Sequence, residues 1–205
     1  MGFLRILLSF IFVITILLPS FAQPAGDVTA ASPPYQLGDE VHPFALKDVA
    51  GQLHDLGETL GENIIVIYFC NFACPVSRVY EERLQNLYTV YQPKNVTFWI
   101  VDSNAPNSEA AILAYHKQKA FPYPILKDYG NQFADQFNAT KTPQAFVIGQ
   151  DKRLHYYGAI DNNHNPDKAD QHFLKQAIDS LLQSKAPALK HYPAFGCAIK
   201  RERAK

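Results

Sequence analysis

The chain has 205 residues, of which 47% are hydrophobic, and its 19 basic residues balance its 19 acidic ones. This length fits one well-buried domain and is too short for two domains of ordinary size. Lys and Arg form no run outside the last six positions, which excludes a broad cationic face for binding nucleic acid. We expect the basic ending, IKRERAK, to be a solvated tail.

The amino terminus has the pattern of a secretory signal. Arg5 precedes the uncharged apolar run ILLSFIFVITILL, and small residues follow at Ser20 and Ala22, the positions that a signal peptidase reads. The run is shorter than the roughly 20 apolar residues that cross a bilayer comfortably, and a retained anchor is the alternative. We predict that residues 1–22 are cleaved off, which leaves a secreted or periplasmic protein that is no longer attached to the membrane.

The next segment predicts where the folded domain begins. Residues 23–36 are rich in Pro, Ala, Gly and Ser without apolar periodicity, and we interpret them as a flexible leader. The stretch FALKDVAGQLHDL contains two short extended pieces around Gly51, which indicates an opening hairpin. We place the domain at residues 37–186 and a tail that carries Cys197 at residues 187–205.

Two buried strands, each followed by a helix, form the centre of the predicted domain. The continuous apolar, β-branched run at residues 63–69 is typical of a strand covered on both faces. A helix is predicted from Pro75 through Tyr91, because apolar residues recur there at steps of three and four. A second strand at 95–102 and a second helix at 107–120 repeat the alternation, which implies parallel pairing of the strands.

The second half of the chain adds shorter elements. A short strand at YPILKD precedes a helical piece around NQFADQF. The runs PQAFVIG and RLHYYGAI are separated only by QDK, so we expect an antiparallel hairpin at the edge of the sheet. The last helix is predicted over 166–185. These elements together predict an α/β fold with a mixed sheet.

Two cysteines lie four positions apart where the first strand passes into the first helix. A cysteine directly before a helix faces unpaired backbone N–H groups, which stabilise a thiolate, and Cys74 has this position. We interpret Cys74 as a nucleophile; a structural disulfide and an inert buried thiol are the alternatives. Cys70 lies at the strand end, where it would resolve an oxidised Cys74, pair statically or simply pack. Cys197 follows a Pro-containing segment that would let it resolve Cys74, staple the tail to the domain or remain a surface thiol.

Several segments resemble one protein family. The pieces FALKDVAGQLHDL, CPVSRVYEERL, IVDSN, KTPQAFVIG and FGCAIK resemble the thioredoxin superfamily, and within it the peroxiredoxin-like redoxin proteins of the AhpC/TSA group. The resemblance implies a thioredoxin-like fold, in which a central mixed β-sheet is flanked by helices and extended by an N-terminal β-hairpin. Cys74 matches the principal cysteine of the family and Cys197 its late cysteine. Thr142 and Pro143, the latter after a cis peptide bond, match the turn that lies against the reactive cysteine.

Departures from the family pattern limit the predicted chemistry. Typical peroxiredoxins have Thr or Ser where this chain has Asn71, Pro where it has Ile67, and Arg where it has Pro143. The groups that polarise a peroxide bond are therefore replaced, and the sequence argues against efficient peroxidase activity. Ser77 occupies the second cysteine position of a C-x-x-C site, so any intramolecular resolution must come from Cys70 or Cys197.

The resemblance implies a thiol-based oxidoreductase. The thiolate of Cys74 would attack a peroxide or a protein disulfide, Cys197 or Cys70 would condense with the product, and an external thiol reductant such as a thioredoxin-like protein would restore the resting state. Thr142 and Pro143, together with Pro75 and Ser77, would line the substrate groove. No organic cofactor is needed, because sulfur carries the electrons.

Two other functions compete with this interpretation. The motif CNFACP has the C-x-x-x-C-P spacing of Sco-type copper chaperones, in which Cys70, Cys74 and either His155 or His164 would bind Cu(I). We favour a protein without a metal site. A non-catalytic binding module is the second alternative, because Ser77 removes the usual second cysteine.

Overall fold

The structure, a computed structural model, describes residues 34–202. The predicted signal at 1–22 and all but the last three residues of the predicted leader lie outside the described residues. Within the described part of the chain, every helix is too short or too polar to cross a membrane.

Within residues 34–202, ten strands form one large sheet and one small sheet. They are β1 Ala45–Asp48, β2 Leu53–Asp55, β3 Ile64–Cys70, β4 Val96–Asp102, β5 Ile125–Lys127, β6 Lys141–Thr142, β7 Gln144–Ile148, β8 Leu154–Gly158, β9 His191–Tyr192 and β10 Cys197–Ala198. The large sheet has the order β2-β1-β5-β4-β3-β7-β8-β9, and the small sheet joins β10 to β6. The β3–β4 and β4–β5 pairs are parallel, as the strand–helix alternation predicted.

Both predicted hairpins are present. Strands β1 and β2 pair antiparallel, and so do β7 and β8. The second hairpin does not form the sheet edge, however, because β9 pairs in parallel with β8 on its outer side. A strand of two residues is too short to show any periodicity in the sequence. Strand β9 forms only because residues 191–192 lie beside β8 in the folded chain.

In the part of the chain that the structure describes, five α-helices pack around the large sheet: α1 Pro75–Val79, α2 Glu81–Tyr91, α3 Glu109–Lys119, α4 Gln132–Gln136 and α5 Phe173–Leu182. The helix predicted from Pro75 to Tyr91 is divided at Tyr80, whose ring is 1% exposed and whose hydroxyl donates to Asp161 over 2.7 Å. This long-range contact ends α1, although the apolar periodicity continues through it.

The last helix is shorter than predicted. A 3₁₀ turn occupies residues 166–168, and Ala169 has an extended backbone. Helix α5 begins only at Phe173, the first of four buried apolar residues on one helical face. The polar residues between Ala169 and Phe173 have no apolar surface to bury, so packing does not hold them in a helix.

The core lies on both faces of the large sheet, and β3 contributes to each. Its even-numbered residues, from Ile64 to Cys70, pack with buried residues of α2, α3 and α5. Its odd-numbered residues, from Ile65 to Phe69, pack with α4 on the opposite face. A strand buried on both faces confirms the interpretation of the apolar run, and the architecture is the predicted mixed sheet flanked by helices.

The basic ending is not a solvated tail as far as the structure describes it. Ile199 is only 7% exposed and packs in the core cluster that contains α4. The backbone N–H of Lys200 donates to Asn104 Oδ1 over 3.1 Å, and that of Glu202 donates to Asn131 Oδ1 over 2.8 Å. Arg201 also lies 3.2 Å from Asp135 Oδ1, and the N–H of Gly130 donates to Glu202 Oε1 over 3.0 Å. Backbone donors, one apolar side chain and these charged groups therefore hold the segment against the domain.

Candidate active site

Cys74 lies at the carboxyl end of the central strand, where the chain turns into α1. It is the N-cap residue of α1 and only 2% exposed, and its Sγ accepts a hydrogen bond from the backbone N–H of Ser77 over 3.5 Å. Its own N–H donates to the carbonyl of Asn71 over 2.9 Å. Because α1 has only five residues, the Ser77 donor is the specific interaction that favours a Cys74 thiolate.

Cys74 forms a disulfide with Cys197, 123 residues further along the chain. The Cα atoms are 6.1 Å apart and the S–S distance is 2.07 Å. Cys197 begins β10, which pairs antiparallel with β6 and places Cys197 opposite Thr142. The tail therefore folds back to the site, and the surface-thiol alternative for Cys197 is wrong.

The turn before β7 lies directly against this disulfide. The Thr142–Pro143 peptide is cis, as the resemblance implied, and Thr142 is fully buried. The Thr142 carbonyl oxygen lies 3.6 Å from Cys74 Sγ. The Thr142 hydroxyl, Oγ1, donates to the Cys197 carbonyl oxygen over 3.5 Å. The structure thus brings together Cys74, Cys197 and the Thr142–Pro143 turn, while Pro75 lies at the exposed first position of α1.

Cys70 is a free thiol in the hydrophobic core. It is 4% exposed, and burial raises the pKa of its thiol well above the usual range, an effect to which the carboxylates of Asp102 and Glu81 add. A protonated, buried thiol is a poor nucleophile. The structure therefore pairs Cys74 with Cys197 and leaves Cys70 as a core residue.

The residues proposed for copper do not come together. His155 Nε2 lies 2.9 Å from Asp151 Oδ1, and His164 has an exposed position in the loop that follows Asp161. Within residues 34–202, no three His, Cys, Asp or Glu side chains are grouped in a way that would hold a metal ion.

A polar network that the sequence analysis missed supports the active-site loop. Asn71 Oδ1 accepts from the N–H of Ala73 over 2.9 Å and from Asn107 Nδ2 over 3.0 Å. Asn107 Nδ2 also donates to Asp102 over 2.6 Å, and Asp102 forms a buried ion pair with Lys127 at 3.3 Å. Asn71, noted in the sequence only as a departure, therefore fixes the loop that precedes Cys74.

The environment of this network raises the pKa of Asp102. Burial is the main cause, and the ammonium group of Lys127 and the hydrogen bond from Asn107 oppose it. Asp102 is the last residue of β4 in the quoted segment IVDSN. Functional side chains often gather at the carboxyl ends of parallel strands. The position of Asp102 at such an end was the one feature of the sequence that indicated a place near the active site.

Comparisons with known proteins agree with this geometry. Residues 37–157 match the AhpC/TSA family. A thiol-disulfide oxidoreductase ResA of Bacillus cereus is 23% identical over 119 residues, which cover 58% of this chain and 67% of that protein. The match to the family includes Cys74 and the Thr142–Pro143 turn and ends before Cys197.

Solved structures show the same fold. An uncharacterized conserved protein from Geobacillus kaustophilus is similar with a TM-score of 0.76 and 26% identity, over 83% of this chain and 95% of that one. A putative thioredoxin from Neisseria meningitidis is similar with a TM-score of 0.58 and 18% identity, over 72% of this chain and 92% of that one. The latter comparison shows the fold alone, which is thioredoxin-like. The chain therefore belongs to the AhpC/TSA family, and it is a thiol-based oxidoreductase of the thioredoxin superfamily.

Proposed function

We propose that this protein exchanges thiols and disulfides through Cys74, with Cys197 as its second redox cysteine, and that peroxide is not its main substrate. The observation that carries this proposal is the disulfide between these two residues, held between the Ser77 N–H and the Thr142 carbonyl. A cysteine pair that is already bonded in the folded protein needs only an incoming thiolate to continue the cycle.

The arginines near the site support exchange over peroxide reduction. Reduction of a peroxide needs donors that stabilise the charge developing on the leaving oxygen. Arg78 lies over the ring of Tyr115, 5.8 Å from its centroid, and Arg83 forms an ion pair with Asp161. Both guanidinium groups thus have other partners, and Pro143 occupies the position where the family pattern has an arginine.

The proposed cycle balances in sulfur and electrons. The Cys74 thiolate attacks one sulfur of a client disulfide, forms a mixed disulfide and releases the other client sulfur as a thiolate. The Cys197 thiolate then attacks Cys74 Sγ, which releases the reduced client and forms the Cys74–Cys197 bond. An external dithiol, of the kind a thioredoxin-like protein supplies, returns both cysteines to thiols and is itself oxidised to a disulfide.

The remaining predicted residues position the groups that react. In this proposal Thr142 and Pro143 line one wall of the substrate groove. Ser77 donates its N–H to the Cys74 sulfur, and Pro75 begins α1, which contains Ser77 and directly follows Cys74. Neither an organic cofactor nor a metal enters the cycle. The signal pattern at residues 1–22 and the disulfide both favour a secreted or periplasmic protein.

Activity measurements on cysteine variants test the proposal. The fully reduced wild type is assayed for reduction of a protein disulfide, such as oxidised insulin, and in parallel for consumption of hydrogen peroxide. We expect insulin reduction to be abolished by Cys74→Ser and retained by the control Cys70→Ser, with slow peroxide consumption throughout. Rapid Cys74-dependent peroxide consumption would contradict the proposal, and activity on neither substrate would favour the non-catalytic binding module.

A further inference from the structure

The Ser77 hydroxyl is a buried polar group without a partner, and it lies one helical turn from the reactive sulfur. Ser77 is 6% exposed, and its Oγ has no hydrogen-bond partner within residues 34–202. Only one other buried side-chain polar atom in that part of the chain, Arg83 Nε, is unpaired. Buried hydroxyls are nearly always hydrogen-bonded, because an unpaired one destabilises the folded state. The exception beside the disulfide therefore calls for a functional explanation.

The start of α1 explains why this hydroxyl is unpaired in the oxidised protein. Cys74 is the N-cap residue and Ser77 the third helical residue, two positions whose side chains adjoin. A polar side chain at the third position usually accepts from the N–H of the N-cap residue. Here that N–H already donates to the Asn71 carbonyl over 2.9 Å. The Cys74 sulfur is a weak acceptor in a disulfide, and it already receives the Ser77 N–H.

Reduction of the disulfide changes the acceptor beside the Ser77 hydroxyl. A thiolate carries a negative charge, and the charge-assisted hydrogen bonds that it accepts are stronger than neutral ones. The backbone nitrogen of Ser77 lies 3.5 Å from Cys74 Sγ, so one change of rotamer about χ1 turns the hydroxyl toward that sulfur. The group that lacks a partner in the oxidised protein thus gains one when Cys74 becomes a thiolate.

A second donor matters here because the other polar neighbour of the sulfur is an acceptor. The Thr142 carbonyl oxygen lies 3.6 Å from Cys74 Sγ, and it pairs with a thiol but repels a thiolate. Arg78 and Arg83 have other partners. Among the described residues, the Ser77 N–H is the one donor to the Cys74 sulfur. The Ser77 hydroxyl therefore adds a second donor against the Thr142 carbonyl.

We infer that the Ser77 hydroxyl is a catalytic donor that acts only in the reduced protein: it is unpaired beside the Cys74–Cys197 bond and donates to the Cys74 thiolate once that bond is broken. The inference rests on the proposed function. An external dithiol attacks Cys197, Cys74 leaves as a thiolate, and the second sulfur of the dithiol then releases Cys197 as a thiol and closes its own disulfide. Ser77 thus favours the last step of the proposed cycle, the reduction of the resting bond.

Redox equilibria of the full-length protein test the inference. Wild type, Ser77→Ala and the control Ser180→Ala are equilibrated with mixtures of reduced and oxidised dithiothreitol, quenched with acid and alkylated, and the reduced fraction is measured by mass. The Ser180 hydroxyl lies in α5 and donates to the Gln176 carbonyl over 2.8 Å. We expect the equilibrium constant for reduction to fall about tenfold in Ser77→Ala, the effect of losing one hydrogen bond to a charged group. It should not change in Ser180→Ala. An unchanged constant in Ser77→Ala would overturn the inference.

Unfolding of each redox form separates this role from a purely structural one. In the oxidised protein, Ser77→Ala removes an unpaired buried hydroxyl, so its urea midpoint should equal or exceed that of the wild type. In the reduced protein, kept in dithiothreitol, the same substitution removes a hydrogen bond, and the midpoint should fall. An equal loss of stability in both forms would show a packing role alone and overturn the inference. Failure of Cys74-dependent insulin reduction would instead remove the proposed function, because neither of these measurements involves a client.

Discussion

Cys74 and Cys197 share one disulfide but differ in exposure: Cys74 is 2% exposed beneath the tail, whereas Cys197 is only half-buried. An incoming thiolate must approach the sulfur that it attacks along the direction of the S–S bond, so access decides which sulfur reacts. The N–H of Ser77 also points at Cys74 Sγ and favours it as the departing thiolate.

We therefore predict that a reductant attacks Cys197 first. Oxidised protein is treated with limiting glutathione, quenched with acid and alkylated, and its peptides are identified by mass spectrometry. Glutathione should be found on Cys197 and the alkyl group on Cys74, and Cys70→Ser should give the same result. Glutathione found mainly on Cys74 would show that the tail opens before the bond is attacked.

Cys70 should be inert in the folded protein. Burial holds its pKa well above the usual range, so at neutral pH the thiol stays protonated, and the ionised form becomes accessible only on unfolding. With the native reduced protein at pH 7.5, iodoacetamide should label Cys74 and Cys197 and leave Cys70 unlabelled. All three should react in guanidinium chloride. Labelling of native Cys70 at the rate of Cys197 would contradict its assignment as a core residue.

Ser77→Cys should redirect the resting disulfide. Ser77 lies one helical turn after Cys74, and its Oγ is buried without a hydrogen-bond partner within the described residues. A thiol there is within disulfide range of Cys74 and competes with Cys197 at low loop-closure cost. Disulfide mapping after oxidation should show a bond between residues 74 and 77 in a large share of the molecules. The control Ser77→Ala should keep the Cys74–Cys197 bond, and Ser77→Cys with unchanged pairing would refute the prediction.

The buried ion pair between Asp102 and Lys127 should be sensitive to loss of one partner. Their side chains are 0% and 3% exposed, so removing one charge leaves the other buried and unpaired. We expect Asp102→Asn and Lys127→Met each to lower the free energy of unfolding by about 3–5 kcal/mol, and the double variant to lose less than the sum. Urea unfolding of all four proteins gives the coupling energy. Additive losses would show that the two side chains do not interact.

Reduction of the Cys74–Cys197 bond should destabilise the protein. The bond closes a loop across 123 residues of sequence, so its loss increases the entropy of the unfolded chain. We expect the free energy of unfolding to fall by about 2–5 kcal/mol. Urea unfolding with and without dithiothreitol measures this difference, and Cys70→Ser should show the same difference as the wild type. A Cys197→Ser protein that is as stable as the oxidised wild type would contradict the prediction.

Local patterns account for much of the fold and for the choice of Cys74 as the candidate nucleophile. The apolar run of β3 predicts a strand buried on both faces, because hydrophobic periodicity is a property of consecutive residues. The position of Cys74 before Pro75 likewise follows from the strand–helix junction alone. The resemblance to a known family then identified Cys197 and the Thr142–Pro143 turn, which no local pattern could distinguish from an ordinary thiol and an ordinary X-Pro dipeptide.

Contacts between distant segments became visible only in the folded protein. The choice of Cys197 over Cys70 as the partner of Cys74 depends on the tail docking beside β6, through backbone pairs and a close approach at Gly196. The division of a periodic helix at Tyr80 depends on Asp161, 81 residues away. Patterns of consecutive residues thus predicted the longer strands, the helix start at Pro75 and Cys74 as the candidate nucleophile. The folded structure showed that the segment around Cys197 covers Cys74. Sequence patterns could not predict this, because burial and strand pairing between remote residues exist only in the folded chain.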